Sequence, residues 1–229
     1  MTVGLLIDSS GSMQPNRERV IAAAAAFAEA SNPKDELFAL AFNEDVRAVL
    51  PPTAPFTSRV AVLRDALAQV ISARGLTRLF DGIAAGLEYV GRGRHERRVL
   101  VVVSDGGDNA SHTTHDEILL KAQASNAMIY TVALTDPRER DANPKLLRRI
   151  AQSTGGEAFA PGNTAEIAEV LRHIARDIRN TYTLGYVSTN SVRDGAFRQI
   201  RLVVNSQDRR RLVVRTRDGY LAALPNARK

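Results

Sequence analysis

Five residues in three separate stretches could hold a small divalent cation. The first stretch is Asp8-Ser9-Ser10-Gly11-Ser12, where one carboxylate and several hydroxyls follow directly on the apolar run 3–7. A short apolar run bounded in this way reads as a buried strand. In an open α/β sheet, ligands sit outside the carboxyl ends of the strands, so Asp8, Ser10 and Ser12 leave the chain where a ligand would be held. The second stretch carries Thr77, in a loop before a helix, and the third carries Asp105 at the end of the strongest strand signal in the chain. Hydroxyl and carboxylate oxygens suit magnesium, which keeps near-octahedral oxygen coordination and several waters. Zinc would ask for nitrogen or sulfur. Manganese accepts such ligands as well, and calcium is a further candidate. Read alone, 8–12 could equally be a turn that caps a helix.

The elements that must position these residues follow from the pattern. Residues 17–30 are alanine-rich without Gly or Pro and read as a helix. Strands are expected at 36–42 and 46–50, joined by the tight turn Asn43-Glu44-Asp45, which makes 46–50 an antiparallel edge strand ended by Pro51-Pro52. Thr57 or Ser58 is expected to cap a helix whose apolar face is Val62, Leu63, Leu67, Val70 and Ile71. A helix follows from about 79 to 90, and its Gly82, Ala84, Ala85 and Gly86 suggest tight contact. The run 98–104 is apolar without alternation, as in a central parallel strand covered on both faces. Thr114 with Glu117 fits a capping box for a helix to about 125. A strand is expected at 127–134, a helix opened by Asn143-Pro144, a short strand at 157–160, and a helix capped by Asn163 with Glu166. Strands alternating with helices give an α/β fold with a mostly parallel central sheet, one antiparallel edge strand and residues 1–180 as its domain.

The tail, 181–229, changes character. Stretches 181–187, 197–205 and 212–216 read as strands without a helix between them, with turns at 190–195 and 206–210. They predict a small antiparallel β appendage, too small to bury much alone. It would pack on the main domain or complete a sheet with sequence upstream of Met1. Tyr182 and Tyr186, on alternate positions, read as packing residues.

Composition narrows the functional classes. The chain has 229 residues, with 44% hydrophobic and 24% charged, ordinary values for a globular protein. No apolar stretch approaches a membrane span. Cysteine is absent, which removes disulfide and thiol chemistry. No targeting segment is visible, because Met1 stands almost directly against the first strand; an excised fragment would begin the same way. The net charge is +6, with arginines clustered at Arg92, Arg94, Arg97 and Arg98 and at Arg209, Arg210 and Arg211. Aromatic residues are 5% and do not interleave with those clusters, which argues against a nucleic-acid platform.

Taken together, Asp8-Ser9-Ser10-Gly11-Ser12, Thr77 within Gly75-Leu76-Thr77-Arg78-Leu79-Phe80-Asp81, and Ser104-Asp105-Gly106 resemble the three parts of a metal-ion-dependent adhesion site. That site marks von Willebrand factor type A domains. The resemblance covers about residues 3–179 and implies a doubly wound sheet with helices on both faces. It further implies that Ser10 and Ser12 coordinate the metal directly and Thr77 directly or through water. Asp8 and Asp105 would act through water or by hydrogen-bonding coordinating groups. The open position would take an Asp or Glu carboxylate of a protein partner, so the resemblance implies a non-enzymatic adhesion or assembly module. Tyr182-Thr183-Leu184-Gly185-Tyr186 and Arg215-Thr216-Arg217-Asp218-Gly219-Tyr220 are similar to a bacterial, acidobacterial-type subgroup whose members are usually exported.

Two other classes stand beside this reading. A magnesium-dependent phosphohydrolase could use Asp8 as nucleophile. The haloacid dehalogenase type wants a second aspartate two residues on, where this chain has Ser10, and its phosphate-balancing lysine could only be Lys121. No phosphate-cradling Gly-rich loop with a lysine is present either. The arginine clusters could alternatively bind an anionic polymer. Asp81 and Asp108 lie near the three stretches and read as caps, turn residues or supports, while His112 and His115, flanking the Asp105 loop, read as solvent-exposed polar residues.

Overall fold

A computed structural model describes residues 1–71, 74–134, 142–163, 165–205 and 212–222. The expected turn at 206–210 and the cluster Arg209, Arg210 and Arg211 lie outside those residues.

Six strands form one sheet: β1 (Thr2–Asp8), β2 (Glu36–Phe42), β3 (Val46–Ala48), β4 (Arg98–Ser104), β5 (Ala127–Ala133) and β6 (Ala158–Phe159). Their order is β3-β2-β1-β4-β5-β6, and only β3 runs antiparallel. Six helices connect them: α1 (Arg17–Ala30), α2 (Val60–Val70), α3 (Leu79–Gly91), α4 (His115–Ala124), α5 (Pro144–Ser153) and α6 (Glu166–Asp177). The expected doubly wound sheet with one antiparallel edge is the observed architecture.

The missing alternation in β4 has a direct cause. Val99, Val101 and Val103 enter one core with Val3, Leu5 and Ile7, under α1, α2 and α6. Leu100 and Val102 enter the other with Leu6, Phe38 and Phe42, under α3, α4 and α5. Each such side chain, fully buried, contributes roughly 1.5–3 kcal/mol. Small residues then set how closely the layers approach. A Cβ at Gly82 would lie 2.9 Å from the Phe42 ring, and one at Gly86 would lie 2.9 Å from Leu100. The glycines of α3 are there for contact, at the expense of helix propensity.

At α4 and α5 the expected caps are present. Thr114 and Glu117 form the capping box, and Asn143 accepts from the Leu146 N–H. At α2 the expectation needs correcting. Its N-cap is Arg59, without a side-chain cap; the Thr57 backbone is bridged to Leu37, and its hydroxyl accepts from the Arg59 N–H rather than from the first turn of the helix. At α6, Asn163 still accepts from the N–H groups of Ala165 and Glu166, although the cap position falls at Ala165.

The tail departs most from expectation. Among the described residues its only ladder pairs β7 (Phe197–Gln199) with β8 (Gly219–Leu221), antiparallel. Residues 181–187 and 212–216 are not strands, since no neighbour in the described residues pairs with them. Tyr182 and Tyr186 do not pack into a core; Tyr182 is 91% exposed. The tail touches the main domain through Arg215, which pairs with Asp177 and Glu157, and through Arg217, which donates to the carbonyls of Gln123 and Ser125. No helix among the described residues is long and apolar enough to cross a membrane.

Replacing Gly82 with valine should destabilise the domain by about 1–3 kcal/mol, the usual cost of overpacking a core. A lower urea midpoint with an unchanged slope would show it.

Candidate metal centre

Parallel register builds the site. Ile7 of β1 stands opposite Val103 of β4, so the next residues, Asp8 and Ser104, emerge side by side at the carboxyl ends of the two central strands. The Ser104 hydroxyl donates to Asp8 Oδ2 (2.7 Å) and accepts from the Gly106 N–H (3.0 Å). Asp8 Oδ1 accepts from the Ser10 N–H (2.9 Å). Beyond Ser10 the chain enters a 3-10 turn, Gly11–Asn16, held down by the buried Met13. That turn carries Ser12, whose hydroxyl lies 3.1 Å from the Ser10 hydroxyl and donates to Asp105 Oδ2 (2.6 Å). Asp105 Oδ1 in turn accepts from the Gly107 N–H (2.8 Å).

Four of the five expected residues, Asp8, Ser10, Ser12 and Asp105, thus belong to one hydrogen-bonded cluster. Thr77 joins it through backbone. Its loop reaches the first stretch where the Gly11 N–H donates to Gly75 O (3.2 Å) and the Arg74 N–H to Ser9 O (2.9 Å). The Thr77 N–H donates to Asn109 Oδ1 (2.9 Å), while Thr77 O accepts from the N–H groups of Asn109 and Ala110. Thr77 is buried, and its hydroxyl makes no hydrogen bond among the described residues.

The electrostatics are one-sided. Asp8, Ser9, Ser10, Thr77, Ser104 and Asp105 are all buried. Among the described residues no Lys, Arg or His pairs with Asp8 or Asp105. Burial pushes the Asp8 carboxyl up to about 6, against hydrogen bonds from Ser10 and Ser104, and the Asp105 charge adds to the rise. Such a pair asks for positive charge. Oxygen donors on three loops with no counter-ion of their own fit a hard divalent cation.

Several contributors carried no assigned role at the sequence level. Ser104 clamps Asp8, and Asn109 fixes the Thr77 backbone. Glu44 accepts from the Leu76 N–H, bracing the turn at Gly75, where φ is +84°. Gly106 has φ +88°, and a Cβ there would come within 2.7 Å of Asn143 O, so the Asp105 loop can lie against the start of α5 only as glycine. Asp108 and Ser111 accept from the Phe80 N–H at the start of α3. Asp81 accepts from the N–H groups of His112 and Thr113. Asp81 and Asp108 are therefore supports, as expected. His112 is exposed and His115 partly so.

A family model for the von Willebrand factor type A domain matches residues 3–173. The chain belongs to that family. A comparison with curated protein sequences gives no match. Among solved structures, a von Willebrand factor type A protein from Catenulispora acidiphila aligns with TM-score 0.66 at 20% identity, over 77% of this chain and 42% of that one. The vWF domain of the type V pili tip protein Mfa5 from Porphyromonas gingivalis aligns with TM-score 0.65 at 13% identity, over 82% of this chain and 97% of that one. The PilB minor pilin from Streptococcus sanguinis aligns with TM-score 0.62 at 12% identity, over 78% and 61%. At these identities the likeness is one of fold.

Asp81 supplies a pH test of the loop architecture. Its partial burial favours the neutral acid, but hydrogen bonds from His112 and Thr113 outweigh that and hold it from 3.8 down to about 2. A depressed folded value stabilises above the unfolded value and is lost as pH falls through the folded one. Stability should therefore fall between about pH 4 and pH 2 through this group. Asp81→Asn should flatten that part of a urea-unfolding profile and leave the curve above pH 5 parallel to wild type.

Proposed function

We propose that this von Willebrand factor type A domain is a non-enzymatic binding module that recognises an acidic side chain of a partner protein through a bound divalent cation, Mg2+ in the first instance. The observation that carries the reading is the hydrogen-bonded cluster at the ends of β1 and β4, in which Asp8, Ser10 and Asp105 are buried, Ser12 is half-buried, and no basic side chain among the described residues pairs with either carboxylate. Ser10, Ser12 and Thr77 would hold the ion with neutral oxygens. Asp8 and Asp105 would orient those hydroxyls and offset part of the charge. A cation held this way supplies an electrophilic centre that still accepts a carboxylate oxygen from outside.

The chain's own residues do the rest. Ser104 keeps Asp8 turned toward Ser10, and the Ser12–Asp105 bond joins the first and third loops. Arg78, 14–16 and 108–111, which are exposed or half-buried, would set which acidic partner fits. The pilus proteins among the structural relatives support an adhesion or assembly role. Holding is favoured over attack because Ser10, not a second aspartate, stands two residues after Asp8, and its N–H and the Ser104 hydroxyl fix the Asp8 carboxylate within the cluster.

Calorimetric titration with Mg2+ should give saturable binding to the wild type and none to Asp8→Asn or Thr77→Ala, with circular dichroism confirming that both variants fold. Mg2+ at about a hundredfold over its Kd should stabilise the wild type by about 2.7 kcal/mol, or roughly 5–10 °C in Tm, and chelator should remove the gain. Unaltered metal affinity in both variants would sink the site assignment. Hydrolysis of a phosphate ester that vanishes in Asp8→Asn and survives in Ser12→Ala would replace this reading with the hydrolytic one.

A further inference from the structure

The C-terminal segment holds most of the apolar surface that the described residues leave in water. Of fifteen exposed large hydrophobic side chains, all but Val62, Leu76 and Leu120 lie between Tyr182 and Val214. Val187 is 94% exposed and Val213 is 87% exposed. Large apolar side chains left in water in one segment are unusual enough to point to an interaction site.

The backbone there is equally unsatisfied. Pairing of β7 with β8 ends where the Ile200 N–H donates to Asp218 O. The register that sets Phe197 opposite Leu221 and Gln199 opposite Gly219 would carry 201–205 onto 217–213. No ladder forms there, and 182–187 joins none either, among the described residues. Rows of unpaired N–H and C=O groups flanked by apolar side chains are what an added strand pairs with.

These segments enclose a groove of about 670 Å³, with Val99, Met128 and Tyr130 on one side and Leu184, Val204 and Val214 on the other. It opens at the amino ends of β4 and β5, the opposite end of the sheet from Asp8 and Asp105. Its charge is lopsided. Arg97, Arg98 and Arg217 line it without a carboxylate partner among the described residues: there Arg97 and Arg217 donate only to neutral oxygens, and Arg98 Nε is buried with no partner. Of the two lining carboxylates, Asp177 is already taken by Arg215 and by the Tyr130 hydroxyl, which leaves Glu96 alone against three arginines.

We propose that this groove binds an extended strand of a partner protein in which apolar residues alternate with Asp or Glu. Backbone pairing to 182–187 or 212–216 would supply the affinity, apolar side chains would fill the groove, and the carboxylates would meet Arg97, Arg98 and Arg217. A second copy of this tail is the poorer occupant, since it brings Arg193, Arg201, Arg215 and Arg217 against like charge. The site is separate from the metal centre, so its binding needs no divalent ion.

Two fluorescent peptides test this on the full chain by anisotropy, one alternating glutamate with valine and one alternating lysine with valine. The glutamate peptide should bind, weaken with added salt, ignore chelator, and protect the amides of 182–187 or 212–216 from hydrogen exchange. Val213→Pro should weaken it by about tenfold or more, the loss expected when a strand hydrogen bond cannot form. The fold should survive, because Val213 is exposed and its N–H is unpaired among the described residues. Val187→Pro is the second variant, on the other unpaired segment. Equal binding of both peptides, no binding of either, or a requirement for Mg2+ would overturn the proposal. So would protection of the same amides that grows with protein concentration alone, because a second copy would then be the occupant.

Discussion

Two carboxylates, Asp8 and Asp105, lie buried in one hydrogen-bonded cluster with no basic side chain among the described residues to balance them, and the carboxyl ends of the central strands are organised around that fact. Buried charge is tolerated only where fixed dipoles or a counter-ion meet it. Here the dipoles come from the Ser10, Gly106 and Gly107 N–H groups and from the Ser12 and Ser104 hydroxyls, either on the carboxylates or one bond removed. All of them sit at, or within a few residues beyond, the ends of β1 and β4. The loops can be short and rigid because β1 and β4 are adjacent and in register. The sheet therefore does more than support the site: a shift of one residue between β1 and β4 would separate Asp8 from Ser104.

How much of this could be read from the chain depended on whether the signal was local. The alternation of strands and helices, the antiparallel edge at β3, and the caps at Thr114 and Asn143 all rest on residues within a few positions of one another. The candidate ligands were legible because each falls at a strand end or helix entry and carries oxygen. What escaped were contacts between distant loops, such as Asn109 on Thr77 or Glu44 on Leu76, where ordinary polar residues become specific only once folded. Ser104 stood in plain view beside Asp105, yet its partner lies ninety-six residues away.

The tail shows the opposite failure. Its β-branched and aromatic residues gave a strong strand pattern, but strand propensity is fulfilled only against a neighbour. β7 and β8 found one another over three residues each; the rest of the pattern remained extended and wet. Tyr182 and Tyr186 accordingly stand on the surface. Arg215 and Arg217 tie this segment to the amino ends of the sheet, so its open edge is presented rather than loose.

Strand direction has a mechanical consequence. The cluster at Asp8 and Asp105 and the groove beside Val99 and Met128 cap the same parallel strands at their two ends. A pull applied between those ends runs along the strand axes, and the ladder hydrogen bonds joining β1, β4 and β5 would then be loaded side by side in shear rather than unzipped one at a time. Six matched pairs between β1 and β4 and seven between β4 and β5 would share such a load. The strongest direction of the domain is thus set by the topology of the sheet.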